Sequence, residues 1–336
     1  MILQFRFNQL ALALTIGLIG CNTPPTVQNT TTLPGETASD RPSVIATTSI
    51  LCDMTRQVAA ETVDLMCMVA PGEDPHLYQP TPEDQKAIEQ ADLILYGGYD
   101  FEPALIKLIE ATSNPAPKVA VHQTAVSQPI MGEAHAHGDE HGHAHDEAAP
   151  DPHVWHSAQN GIQMVETIRD RLAKLAPERA SLYNNNAQQV TSELAQIDAW
   201  IKSQIATIPP QQRKLVTTHD AMNYYSQAYN IPIEGALGGM STEEAPTAAR
   251  VSELVKDIKR SRVPTIFAET TLNPRLIQTV AREANVQVSQ HKLFADSLGE
   301  PGTDADTYQK MLIANTRTIV EGLGGDYRDP QVSLNH

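Results

Sequence analysis

The chain has 336 residues, with 40 acidic against 24 basic side chains and a formal net charge of −16 at pH 7. That length suits two lobes of ordinary size. The acidity argues against nucleic-acid binding and against electrostatic docking on anionic lipid, and it is compatible with gathering cations.

Residues 1–20 read as an export signal. Arg6 is the lone charge, Leu10 to Leu18 form an apolar run too short to span a bilayer, and Leu18-Ile19-Gly20-Cys21 suits lipoprotein processing. Cleavage there would leave Cys21 lipidated; a buried helix followed by a chance cysteine is the alternative. Residues 21–42 hold almost nothing to bury and are expected to form a flexible tether. Of three cysteines, Cys52 and Cys67 then remain, an even pair in an oxidising compartment. A disulfide and two buried thiols are both open.

From residue 43 short apolar strands alternate with helices. In an N-terminal lobe, 43–156, strands are predicted at Ser43–Thr48, Val63–Ala70, Asp92–Tyr96 and Lys118–Val121, with a helix at 51–60. Thr81-Pro82-Glu83-Asp84 is a further helix start, with a hydroxyl cap and acids near the positive dipole end. Residues 157–208 form a helical connector dented at Pro177. Within it, Glu178 to Ile208 places Leu182, Val190, Leu194, Ile197, Ile201 and Ile205 near helical spacing. The C-terminal lobe, 209–336, repeats the alternation with strands at Lys214–Thr218, Ile231–Ala236, Val263–Ala268 and Val286–Val288. The expected fold is α/β, two lobes each with a parallel sheet flanked by helices, joined by one long rigid helix.

Four motifs each offer one good metal ligand: Glu73-Asp74-Pro75-His76, Asp151-Pro152-His153-Val154-Trp155, Thr217-Thr218-His219-Asp220 and Phe294-Ala295-Asp296-Ser297. Three imidazoles and one carboxylate suit a tetrahedral divalent cation. Ligands of open α/β sheets lie beyond the carboxyl ends of the strands, and His76, His219 and Asp296 follow predicted strands, so the four motifs can meet in one cleft. Together with an export signal they point to metal capture for import.

These residues resemble the metal receptors of ABC importers, the family of zinc- and manganese-binding lipoproteins related to streptococcal adhesins. The likeness covers about 43–325 and rests on Asp74-Pro75-His76 with Pro80 and Pro82-Glu83-Asp84, Asp151 to Trp155, and His219 to Tyr225. It rests also on Phe267-Ala268-Glu269, Leu293 to Gly299, and Gly302 to Tyr308. The resemblance implies that His76 and His153 come from the first lobe and His219 and Asp296 from the second. It implies delivery of the ion to a membrane permease driven by an ATPase. Manganese-selective members usually carry Glu where this chain has His219, which favours Zn2+; the C-terminal half is similar to a branch accepting both metals, which keeps Mn2+ as the alternative. Imidazole-rich donors favour zinc as well. A monomer is expected.

Other residues carry smaller expectations. His135, His137, His141, His143 and His145, in an acidic loop at 133–147, read as an auxiliary zinc trap or as a solvated loop with incidental affinity. Glu269 is expected to hydrogen-bond a ligand imidazole, with direct ligation as the alternative. Asp151 and Asp220 read as turn or cap residues, His156 and Trp155 as packing. His122, His291 and His336 lack a motif, and ordinary core or surface roles are expected. An enzyme is disfavoured: no His-Glu-x-x-His, phosphate loop or nucleophile elbow occurs, and four protein ligands would close a tetrahedral zinc. A surface adhesin with a structural metal is the remaining rival.

Overall fold

The computed structural model describes residues 41–132, 149–243 and 245–334. Cys21, His135, His137, His141, His143, His145 and His336 lie outside the described residues.

Four parallel strands form the first sheet: β1 (Ser43–Ala46), β2 (Asp64–Cys67), β3 (Leu93–Tyr96) and β4 (Lys118–Ala120), in the order β2-β1-β3-β4. Val44, Ile45 and Ala46 of β1 and Leu93, Ile94 and Leu95 of β3 are all buried, a continuous apolar run of the kind that needs helices on both faces. Those helices are α1 (Ser49–Ala59), α2 (Pro82–Gln90), α3 (Pro103–Ala111) and the short α4 (Val121–Ala125). Thr81 and Asp84 close a reciprocal capping box at the start of α2, as the sequence predicts. Cys52 of α1 and Cys67 of β2 are joined in a disulfide, their Cα atoms 5.6 Å apart.

The connector consists of α5 (Ala158–Leu175), a 3-10 turn at Pro177–Arg179 and the 26-residue α6 (Ala180–Ile205). The buried stripe of α6 is Tyr183, Ala187, Val190, Leu194, Ile197, Ile201 and Ile205. Leu182, assigned to that stripe from sequence, is instead 36% exposed; Tyr183 occupies the inward position and turns its neighbour to solvent. α6 packs on α5, on α1 and on the last helix, α10 (Tyr308–Gly322).

In the second half, β5 (Leu215–Thr217) pairs in parallel with β6 (Ile233–Ala236), and β7 (Thr265–Ile266) with β8 (Gln287–Val288). The expected single sheet is thus two two-stranded pieces, linked by the Phe267 N–H donating to the Val216 carbonyl at 2.9 Å. Helices α7 (Asn223–Tyr229), α8 (Ala248–Ser261), α9 (Arg275–Ala284) and α10 (Tyr308–Gly322) surround them. The main core runs through both halves, from Val44 and Leu51 to Phe267, Tyr308 and Leu312. α1 also caps α10 directly, since Asp53 Oδ2 accepts the Tyr308 N–H at 2.8 Å.

Candidate metal centre

Each of the four predicted ligands sits on a short irregular turn held by local hydrogen bonds. His76 lies in a 3-10 turn, Pro75–Leu77, whose N-cap Asp74 accepts the His76 N–H at 3.0 Å. Asp151 plays the same part for His153, accepting its N–H at 2.9 Å ahead of the turn Val154–His156. His219 follows β5 in a turn fixed by Thr217 Oγ1 donating to the His219 carbonyl at 2.8 Å. Asp296 does not follow β8 directly, as the sequence suggested; it comes three residues after Leu293, which bridges in parallel to Glu269. The carbonyl before it, Ala295, accepts from Trp155 Nε1 at 3.0 Å and bonds His156 Nε2 at 2.9 Å, tying the two turns together.

The structure brings all four side chains to one buried point. Ligand atoms of His76, His153, His219 and Asp296 lie within 4.8 Å of one another. Three of them form a tight triangle: His153 Nε2 to His219 Nε2 is 3.4 Å, and Asp296 Oδ1 is 3.4 Å from the first and 3.2 Å from the second. Bonds of about 2.0–2.1 Å to a tetrahedral zinc imply edges of about 3.3–3.4 Å, so the triangle fits one face of that polyhedron. The donor set fits a divalent cation without movement of these three residues.

The imidazoles are held in different ways. Asp151 Oδ1 also meets His153 Nδ1, at 2.8 Å. Glu269 Oε2 meets His219 Nδ1 while its Oε1 accepts the N–H groups of Thr218 and His219 at 2.9 and 3.0 Å. In each case the outer nitrogen is occupied and Nε2 is aimed inward. His76 has no such partner: both ring nitrogens are buried without a hydrogen bond, and the ring stands edge-on to Phe101 at 5.0 Å.

Electrostatics follow from this. Burial pushes His76 down to about 3. Burial also opposes charge on His153, but hydrogen bonds to Asp151 and Asp296 outweigh it and hold the imidazole up at about 9. His219 is likewise raised well above the ordinary histidine range, because Asp296 and Glu269 overcome its burial. Asp296 is held well below the carboxylate range: burial would raise it, but His219 and His153 prevail. Protons therefore stand where a cation would.

Asp151, read from sequence as a turn residue, does that and also orients the imidazole of His153. The signal was present: Asp-Pro-His occurs twice, with Asp placed two residues before each histidine. Asp220 accepts from Asn223 Nδ2 at 3.0 Å, a cap-like role. Trp155 and His156 are buried packing residues with polar ties to Ala295; His122 is buried, and His291 is exposed. Phe101, whose ring packs against both His76 and His153, carried no sequence motif.

A family model described as zinc-uptake complex component A, periplasmic, matches residues 44–322. A metal ABC transporter substrate-binding lipoprotein of Streptococcus cristatus is 32% identical over 322 residues, 95% of this chain and 98% of its own. A manganese ABC transporter substrate-binding lipoprotein of Streptococcus gordonii is 31% identical over the same shares. Among solved structures, the periplasmic zinc binding protein TroA from Treponema pallidum matches with a TM-score of 0.77 at 30% identity, over 84% of this chain and 99% of its own. A manganese-bound periplasmic metal binding protein from Candidatus Liberibacter asiaticus matches with a TM-score of 0.71 at 26% identity, over 84% of this chain and all of its own. With the family model spanning most of its length, the chain belongs to the zinc-uptake component A family, the metal-binding receptors of ABC transporters.

Proposed function

We propose that this chain is an extracytoplasmic zinc receptor, holding Zn2+ between its halves with His76, His153, His219 and Asp296 and handing it to an ABC permease and its ATPase. The observation that carries the reading is the triangle of donors with sides of 3.2–3.4 Å, matched to tetrahedral bonds to zinc. Three neutral imidazoles and one carboxylate make a nitrogen-rich set, which zinc prefers more strongly than manganese does. Glu269 completes the arrangement from behind His219 rather than as a ligand.

In this reading Cys21 carries the lipid anchor, 21–42 is the tether, and the receptor works as a monomer on the outer face of the membrane. The histidines at 133–147 serve as a weak auxiliary trap. Manganese is the second reading, supported by the relatives named for it. Competitive titration of the metal-free receptor lacking 133–147 decides between them. Tight one-to-one zinc binding that manganese fails to displace is expected; equal occupancy by both ions would overturn the zinc assignment.

A further inference from the structure

The two Asp-Pro-His turns are the same in sequence and differ in what their carboxylates hold. Asp151 spends Oδ1 on its own histidine, backbone and ring, and Oδ2 accepts Asn223 Nδ2 at 3.1 Å. Asp74 uses Oδ1 for the His76 N–H, but its Oδ2 accepts Thr242 Oγ1 at 2.7 Å, from 168 residues further along the chain. His76 is thus the one ligand whose ring no hydrogen bond orients; its turn is fixed from outside, by Thr242.

Thr242 stands at the end of a strap that begins at the other side of the site. Leaving β6, the chain bonds the His219 turn three times: Leu237 N–H to the Thr217 carbonyl at 3.2 Å, Gly238 N–H to Thr218 at 2.9 Å, and Asp220 N–H to Gly239 at 3.1 Å. The thioether of Met240 next lies against Gly132, so closely that a Cβ there would come within 2.3 Å of Met240 Cε. Thr242 then reaches Asp74. Residues 237–242 therefore run from the turn of one ligand to the turn of another. The strap's residues 237–241, immediately before Thr242, edge a cavity of about 820 Å3, which His76 lines and His153, His219 and Asp296 do not.

Elsewhere the halves are fastened by a cluster: Ser49 Oγ lies 3.1 Å from Ser297 Oγ, Leu298 N–H donates to Ser49 Oγ at 3.0 Å, and Gly72 N–H donates to Ser297 Oγ at 2.8 Å. Among the described residues, the strap is joined to the His76 turn by one hydrogen bond, Asp74–Thr242. One bond breaks more readily than a cluster, and the strap that ends in it borders the cavity beside His76.

We infer that Thr242 is a positioning residue for metal retention: through Asp74 it holds the His76 turn closed, and the ion enters and leaves past His76 along the cavity edged by the strap. This rests on the assignment of His76 as a ligand. Loss of one hydrogen bond to a carboxylate should speed release about tenfold.

The test measures zinc dissociation into excess chelator from the full-length receptor and its Thr242→Val, Thr242→Ser, His76→Ala and His76→Ala/Thr242→Val variants. Thr242→Val should bind one ion as the parent does, keep the melting temperature of the metal-free protein, and release zinc about tenfold faster. Thr242→Ser, which keeps the hydroxyl, should restore slow release. In the His76→Ala background the valine substitution should change nothing more. Unchanged release in Thr242→Val, or an equal acceleration with His76 absent, would overturn the proposal. Unaltered zinc affinity in His76→Ala alone would instead remove the ligand assignment beneath it.

Discussion

Asp151 and Glu269 hold their histidines in the same way from opposite halves of the molecule. Each carboxylate accepts both the backbone N–H and the ring Nδ1 of one residue, His153 for Asp151 and His219 for Glu269. Once the ring is neutral, both contacts fix the tautomer in which Nε2 offers a lone pair inward, and the two Nε2 atoms lie 3.4 Å apart.

Glu269→Gln tests that logic with little change of shape. The amide oxygen still serves the N–H groups of Thr218 and His219, which leaves the amide NH2 facing Nδ1. The imidazole must then carry its proton on Nε2, where it opposes the metal. Zinc affinity should fall about 10–100-fold, as it does for outer partners of ligand histidines elsewhere. Competition with a chromogenic chelator measures it, and an unchanged constant would separate Glu269 from ligand orientation.

Metal uptake should release protons. In the metal-free site His153 titrates at about 9 and His219 well above its ordinary value, so at neutral pH each holds a proton on the face a cation needs. A divalent ion replaces two single charges, leaving the buried charge unchanged. About two protons should leave per ion, and apparent affinity should climb with pH by up to about a hundredfold per unit while both imidazoles are protonated. Calorimetry in buffers of differing ionisation enthalpy counts them; no proton release would contradict the scheme.

His76 and His153 should differ in what their loss does to the metal-free protein. His153→Ala strands Asp151 and Asp296 in a buried site and should cost roughly 3–5 kcal/mol. His76→Ala leaves a cavity but also removes two buried ring nitrogens that have no partner, and these effects offset to within about 1 kcal/mol. Urea unfolding of both variants without metal provides the comparison, and equal losses would contradict it.

Glu102 gives a pH signature outside the centre. Its Oε1 accepts from Thr47 Oγ1 at 2.7 Å and Gly97 N–H at 2.6 Å, while Oε2 is buried without a partner. Burial lifts this carboxyl from 4.5 to about 7. A raised folded value means that its contribution to stability is complete below pH 4.5 and is lost as pH rises through 7. Glu102→Gln abolishes that loss, so the variant should gain on the parent by a few kcal/mol at pH 8, at about 1.4 kcal/mol per pKa unit, and by little at pH 4.5. Urea midpoints of the metal-free proteins at the two pH values measure this; a difference independent of pH would exclude titration of Glu102 as its source.

The sequence revealed most where chemistry is local. The predicted ligand residues stand in motifs whose neighbours build their own turns, and the capping box of α2 is contained in Thr81 to Asp84. It revealed less where a partner lies far along the chain. Thr242 meets Asp74 across 168 residues, and nothing near either residue announces the other. Leu182 was misplaced because spacing alone scarcely separates it from Tyr183; packing against α5 and α1 decides which faces inward. The second-half strands came out shorter than their apolar runs because much of that apolar surface is buried by helices, not by pairing.

The contact between Ser49 and Ser297 joins positions 248 residues apart, and the last predicted ligand, Asp296, is its immediate neighbour. No portion of the chain that stops short of Asp296 contains the complete set of four donors. A growing or half-translocated polypeptide therefore lacks the complete donor set, and a site built from all four residues forms only where folding is completed. The surroundings at that final moment, rather than those in which the polymer was made, decide which ions compete for the first occupancy.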